Sequence, residues 1–202
     1  MSTLASTPVW SGISFRTDEP APLAVRIERI VVQEIERETL RHLHRPWPAA
    51  AQETGGLLAG RWWHGALSVR RICGPAEGAS HDRYRFDNGD DARREFDRDL
   101  WGSGLRQIGD WHVHPRRGET TPSDTDVHGW AAAYELFADE SRSAPAYLGL
   151  IVTPANPSWP RRAVNLSAWV TSCDRRGDLV CKPTTVHECK EGRVFWEHTP
   201  YA

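Results

Sequence analysis

The sequence predicts a single α/β (α+β) domain in which one mixed sheet is sandwiched by helices. Three observations predict it. The 202 residues are the length of one domain. Short β-branched or apolar runs alternate with amphipathic helical stretches, without internal repeats. No apolar run approaches the roughly 18 residues of a membrane span, so the apolar segments belong to a core. A chain of this length buries about 70% of its unfolded surface and needs no disulfide staples.

Residues 1–24 are rich in Ser, Thr, Pro and Ala and read as a mobile N-terminal arm, with Ile13–Arg16 able to add an edge strand. Val25–Val32 is β-branched and partly alternating, which predicts a strand. Gln33–Arg45 places Ile35, Thr39, Leu40 and Leu43 on one helical face, and Pro46 and Pro48 stop it. Glu53-Thr-Gly-Gly-Leu-Leu-Ala-Gly60, a short apolar run bounded by glycines, reads as a buried strand continued by Trp62 and Trp63. A His64-Gly65 turn returns it along Ala66–Ile72. Residues 73–90 form a polar loop with a short strand near Tyr84–Phe86. Asp90–Trp101 is a charged helix packing through Ala92, Phe96 and Leu100. Leu105–His114 is a strand. Asp124–Asp139 is a helix with Val127, Trp130, Ala131, Tyr134 and Phe137 on one stripe. Tyr147–Thr153 and Ala163–Thr171 are strands, joined by a loop made rigid by Pro154, Pro157 and Pro160. One or two weak strands complete a C-terminal extension over 173–202.

The charge balance, 25 basic against 27 acidic residues for a net of −2, excludes strong overall attraction to nucleic acid or anionic membranes. Two of the basic residues are lysines, Lys182 and Lys190; the other 23 are arginines. Cys73, Cys173, Cys181 and Cys189 are too few and too spread for a disulfide scaffold. Residues 1–24 lack a basic segment followed by an apolar stretch. Together these predict a cytoplasmic protein. The last three cysteines and His187 contain no Cys-x-x-Cys pair, so isolated thiols are expected there rather than a second metal site.

Chemistry concentrates in Gly109-Asp-Trp-His-Val-His-Pro115. Alternate residues of a strand share a face, so His112 and His114 point one way and Trp111 and Val113 the other. Two imidazoles on one side of a strand are a chelating pair, and Pro115 ends the strand. After the loop Arg116–Pro122 comes Ser123-Asp-Thr-Asp126, where the next helix begins. Asp126 adds an oxygen ligand. Two histidines, one carboxylate and an open position are the pattern of a catalytic zinc site. Ser123 can donate to a developing oxyanion, and Glu53 can take a proton from the attacking water. Each piece has a bland counterpart: a solvated strand, a capping box headed by Ser123, an ordinary Glu. The conjunction carries the reading. His42, His44, His64, His81, His128, His187 and His198 lack such context and read as structural or solvated.

Glu53-x-Gly-Gly with His112-x-His114-Pro and Ser123-x-x-Asp126 resembles the JAMM motif of MPN-domain zinc metalloproteases, over roughly residues 25–172. The resemblance implies a strongly curved, barrel-like sheet flanked by helices, similar to the deaminase fold. It implies one zinc ion held by His112, His114 and Asp126, with Glu53 as acid–base and Ser123 steadying the tetrahedral intermediate. The loop before Ser123 is one residue longer than the family's usual spacing. That leaves Asp124 and Asp126 as competing ligands, of which only Asp126 keeps the Ser-x-x-Asp relation.

Gly-Asp-Trp-His-x-His-Pro followed by Thr-Pro-Ser-x-x-Asp is most similar to the prokaryotic branch, which accompanies ubiquitin-activating and ubiquitin-conjugating-like enzymes in bacterial operons, antiviral defence systems among them. The resemblance implies a deubiquitinase-like isopeptidase. It would cleave after the C-terminus of a ubiquitin-like modifier, in conjugates or in its precursor. The modifier's tail would lie extended as an added strand in a groove walled by 73–90 and 115–122, with Arg116 and Arg117 beside an acidic partner. Trimming of a sulfur-carrier protein, a RadC-like role in DNA metabolism and a non-catalytic MPN scaffold are the alternatives. The net charge counts against DNA binding, and the complete ligand set against the scaffold.

Overall fold

The computed structural model describes residues 14–15, 24–46, 52–63, 66–75, 79–81, 86–87, 89–140, 146–155, 163–174 and 176–189. In chain order they form β1 (Ser14–Phe15), β2 (Ala24–Glu28), α1 (Arg29–Leu43), β3 (Gly55–Trp63), β4 (Ala66–Cys73), β5 (Ser80–His81), β6 (Phe86–Asp87) and α2 (Asp90–Leu100). There follow β7 (Arg106–Val113), α3 (Asp124–Glu140), β8 (Tyr147–Pro154), β9 (Val164–Cys173), β10 (Leu179–Thr184) and β11 (Val186–Cys189). Nine strands make one mixed sheet in the order β1-β10-β9-β8-β7-β3-β4-β2-β11, and β5 and β6 pair separately.

The sheet is curved, as expected. Thr184 closes β10 opposite Ala168 of β9, and two residues later Val186 opens β11 opposite Val25 of β2. These neighbours stand near opposite ends of the strand order, so one intervening residue, Thr185, bridges the two sides. Its carbonyl accepts from the Val25 N–H across 3.1 Å.

β8 is buried along nearly its whole length, because the sheet is covered on both faces. Leu148, Leu150 and Val152 join the larger core with Trp111 and Val113 of β7 and Val31, Val32 and Ile35 of α1. Tyr147 and Ile151 face α3, against Val127, Trp130 and Tyr134. Phe96 and Leu100 of α2 pack on Leu57 and Ala59 of β3.

The strand expected over Val25–Val32 stops at Glu28, and α1 starts four residues before the expected Gln33. Val31, Val32, Ile35, Thr39 and His42 recur at helical spacing and are all buried. Burial of that stripe outweighs the few tenths of a kcal/mol by which each β-branched residue disfavours a helix. The expected edge strand in the N-terminal arm is β1, parallel to β10. The expected short strand near Tyr84–Phe86 is the β5–β6 pair, with Tyr84 outside the described residues. The His64-Gly65 turn and most of the proline-rich loop after Pro154 also lie outside them. β3 and β4 pair as expected, from Leu57↔Cys73 to Trp63↔Ala66.

Candidate metal centre

β7 and α3 build the site. β7 and the residue that follows it hold His112 and His114 on the face opposite the core residues Trp111 and Val113, and both histidines are buried. Their Nε2 atoms approach to 3.1 Å. The Asp126 carboxylate completes a triangle, with Oδ1 3.3 Å from His112 Nε2 and Oδ2 3.5 Å from His114 Nε2. Among the described residues these three form the group able to hold a metal ion. The edges fit. Tetrahedral zinc with bonds of about 2.0–2.1 Å sets its ligand atoms about 3.3 Å apart.

A capping box positions Asp126. The Asp126 N–H donates to Ser123 Oγ (3.2 Å), and the Ser123 backbone N–H donates back to Asp126 Oδ2 (2.7 Å). Asp124, the competing candidate, is exposed, and its carbonyl accepts from the His128 Nδ1–H across 2.6 Å. The longer loop therefore keeps Asp126 in register with the histidines. The Ser123 hydroxyl also donates to Asp126 Oδ2 at 2.8 Å, so it must rotate before it can reach a substrate oxygen.

Glu53 lies just before β3, with its side chain 10% exposed and Oε1 4.0 Å from His114 Nε2. Pairing of Gly55 with His112 and donation from the Val113 N–H to the Thr54 carbonyl (2.7 Å) bring it there. The two glycines are steric necessities. A Cβ at Gly55 would overlap the Trp111 carbonyl oxygen, and one at Gly56 would overlap that of Cys73. The Glu-x-Gly-Gly pattern is thus the sequence that lets β3 run tightly between β4 and β7 with a carboxylate at its mouth.

Charges in the site are strongly coupled. Burial pushes the Glu53 carboxyl up to about 7, against the attraction of His112. Burial disfavours charge on His112, but Asp110 and Asp126 outweigh it and raise this group to about 10. Burial of Asp126 is likewise outweighed by His112 and His114, which hold its carboxyl well below the usual carboxylate range. Such a pocket is built for positive charge among its carboxylates.

A cavity of about 500 Å³ opens on the site, lined by Glu53, His112 and Asp126 at one end and by Arg93, Phe137 and Tyr147 among others. Its walls come from α2, α3, β3, β7 and the start of β8. Of the two segments expected to wall a substrate groove, only Gly89 lines this cavity among the described residues. Arg116 and Arg117 are exposed on the loop after β7. Among the described residues, His42 is buried and donates from Nε2 to the Gln52 carbonyl (2.8 Å), His44, His128 and His187 are exposed, and none of these four joins the metal group; His64 and His198 lie outside the described residues. Cys73, Cys173, Cys181 and Cys189 form no disulfide, and among the described residues none joins a metal-ligating group.

Sequence reasoning missed Asp110 and its partners. The Trp130 indole N–H and the Tyr147 hydroxyl donate to its two carboxylate oxygens, each across 2.9 Å. The signal was present in the alternation Asp110-x-His112-x-His114, which puts all three on one face.

A family model described as prokaryotic homologs of the JAB domain matches residues 32–172. The solution structure of protein DSY2949 from Desulfitobacterium hafniense is similar at 17% identity and a TM-score of 0.55, over 88% of this chain and 99% of that one. At that identity the likeness speaks for the fold. No curated protein matches the chain.

Proposed function

The chain belongs to the family of prokaryotic homologs of the JAB domain, and on that premise we propose that it is a zinc-dependent isopeptidase acting on a ubiquitin-like modifier. One observation carries the reading. The donor atoms of His112, His114 and Asp126 stand at ligand spacing, with a buried carboxyl, Glu53, 4.0 Å from one of them.

Zinc held there would polarise the scissile carbonyl and acidify the attacking water. Glu53 takes the water's proton and returns it to the leaving amine. A carboxyl raised to about 7 suits both transfers near neutral pH. Ser123 turns its hydroxyl from Asp126 to the oxyanion, while its backbone N–H keeps Asp126 in place. The cavity takes the extended modifier tail. β3, β7 and β8 are each paired on both sides, so a tail added as a strand extends the short β5–β6 sheet, which Gly89 follows.

The test is cleavage of a lysine-linked conjugate and of a linear fusion of a bacterial ubiquitin-like protein. The expected result is isopeptide cleavage, lost on chelation and restored by zinc. Cleavage of linear extensions alone would favour sulfur-carrier trimming, and cleavage of neither would overturn the reading.

A further inference from the structure

We propose that Asp110 is a positioning residue of the metal centre: clamped by Trp130 and Tyr147, it fixes the His112 ring with Nε2 turned to the ion. This rests on the metal reading above and concerns a residue outside the ligand set.

A bulge puts the residues before Asp110 in place. Leu58 of β3 stands opposite Gly109 and Ala59 opposite Gln107, so Ile108 is the extra residue. It turns into the core with Trp111, while Gln107, Asp110 and His112 all line the site cavity. Bulges commonly re-aim side chains beside functional sites. Asp110 is then held from two other elements. Oδ1 accepts from the Trp130 indole N–H of α3, and Oδ2 from the Tyr147 hydroxyl of β8, both at 2.9 Å. Trp130 is itself fixed, because Gly149 of β8 leaves room for its ring where any Cβ would overlap the indole. The Trp130 ring also lies beside His112, with centroids 5.9 Å apart.

So anchored, Asp110 Oδ1 sits 3.9 Å from His112 Nδ1. That is an ion-pair distance rather than a hydrogen bond, so the carboxylate acts on the ring through its charge. A carboxylate facing Nδ1 keeps the ring proton there and the lone pair on Nε2. His114 receives the matching support from a backbone carbonyl, that of Glu119, 2.7 Å from its Nδ1. α3 thus supplies one ligand, Asp126, and one turn later the clamp for the carboxylate behind another.

The test uses zinc alone as the probe, on the full chain with nitrogen-15-labelled histidine. Affinity is read by chelator competition and the ring nitrogens by NMR. Asp110→Asn should weaken zinc binding about 10–100-fold and move the His112 ring signals while leaving those of His114 in place. Tyr147→Phe, which removes a hydroxyl donor to Asp110 and leaves the ring in place, should shift the same signals less. Zinc bound by Asp110→Asn as tightly as by wild type would overturn the role. So would weakened binding with the His112 signals unmoved, since that assigns Asp110 to packing. Wild-type protein that binds no zinc would overturn the metal centre itself, and this role with it.

Discussion

The Nδ1–H of His114 donates to the carbonyl oxygen of Glu119 across 2.7 Å. The bond ties one metal-site histidine to the loop that leads to Asp126. The Trp169 indole N–H holds the same loop through the Thr120 carbonyl (3.2 Å). The loop's extra residue is absorbed without displacing either end of the site.

Because the backbone of Glu119 makes this contact, its side chain is dispensable for the metal. Glu119→Ala should bind zinc within about twofold of wild type, against the 10–100-fold typical of losing a ligand's supporting partner. A larger loss in chelator competition would mean that the carboxylate takes part.

Zinc binding should strengthen as pH rises. In the metal-free protein burial of His112 is outweighed by Asp110 and Asp126, which raise it to about 10. Protonation therefore contributes stability that is fully present below about 6.5 and lost as pH rises through about 10. An ion taking Nε2 displaces that proton. Affinity should rise about tenfold per pH unit between pH 6 and 8, with one proton released, as counted by calorimetry in buffers of different ionisation enthalpy. Affinity flat across this window would contradict the assignment.

Gly55→Ala should damage both fold and site. The added Cβ presses on the Trp111 carbonyl and on the Cα of His112, so β7 must shift. Overpacking of this kind costs about 1–3 kcal/mol. Denaturant unfolding should show that loss, and zinc affinity should fall with it. Unchanged stability would refute the close β3–β7 approach.

Ser123→Ala separates the two roles of the serine. Losing the cap on α3 costs about 1 kcal/mol, and the backbone N–H still holds Asp126. Zinc affinity should fall only a few-fold, while turnover falls by about 100-fold or more for a lost oxyanion donor. Equal losses in both would leave Ser123 as a cap alone.

Much of this site was legible because its parts are local. The period-two alternation of His112 and His114, the Ser123-x-x-Asp126 box and the stripe of α3 each follow from neighbours in the chain. The α1 boundary was misread because Val31 and Val32 are β-branched, and only tertiary burial makes them helical. The clamp on Asp110 was hidden for another reason. Its donors, Trp130 and Tyr147, come from α3 and β8, and the Ile108 bulge breaks the alternation that would have aligned Gln107 with them.

The central claim is a metal held by His112, His114 and Asp126, with Glu53 as the working carboxyl. Glu53→Gln tests it most directly, with metal content and conjugate cleavage measured on the same preparation. The account predicts one zinc per chain, as in wild type, and cleavage slowed at least about 100-fold. Cleavage at the wild-type rate, or loss of the zinc, would contradict it.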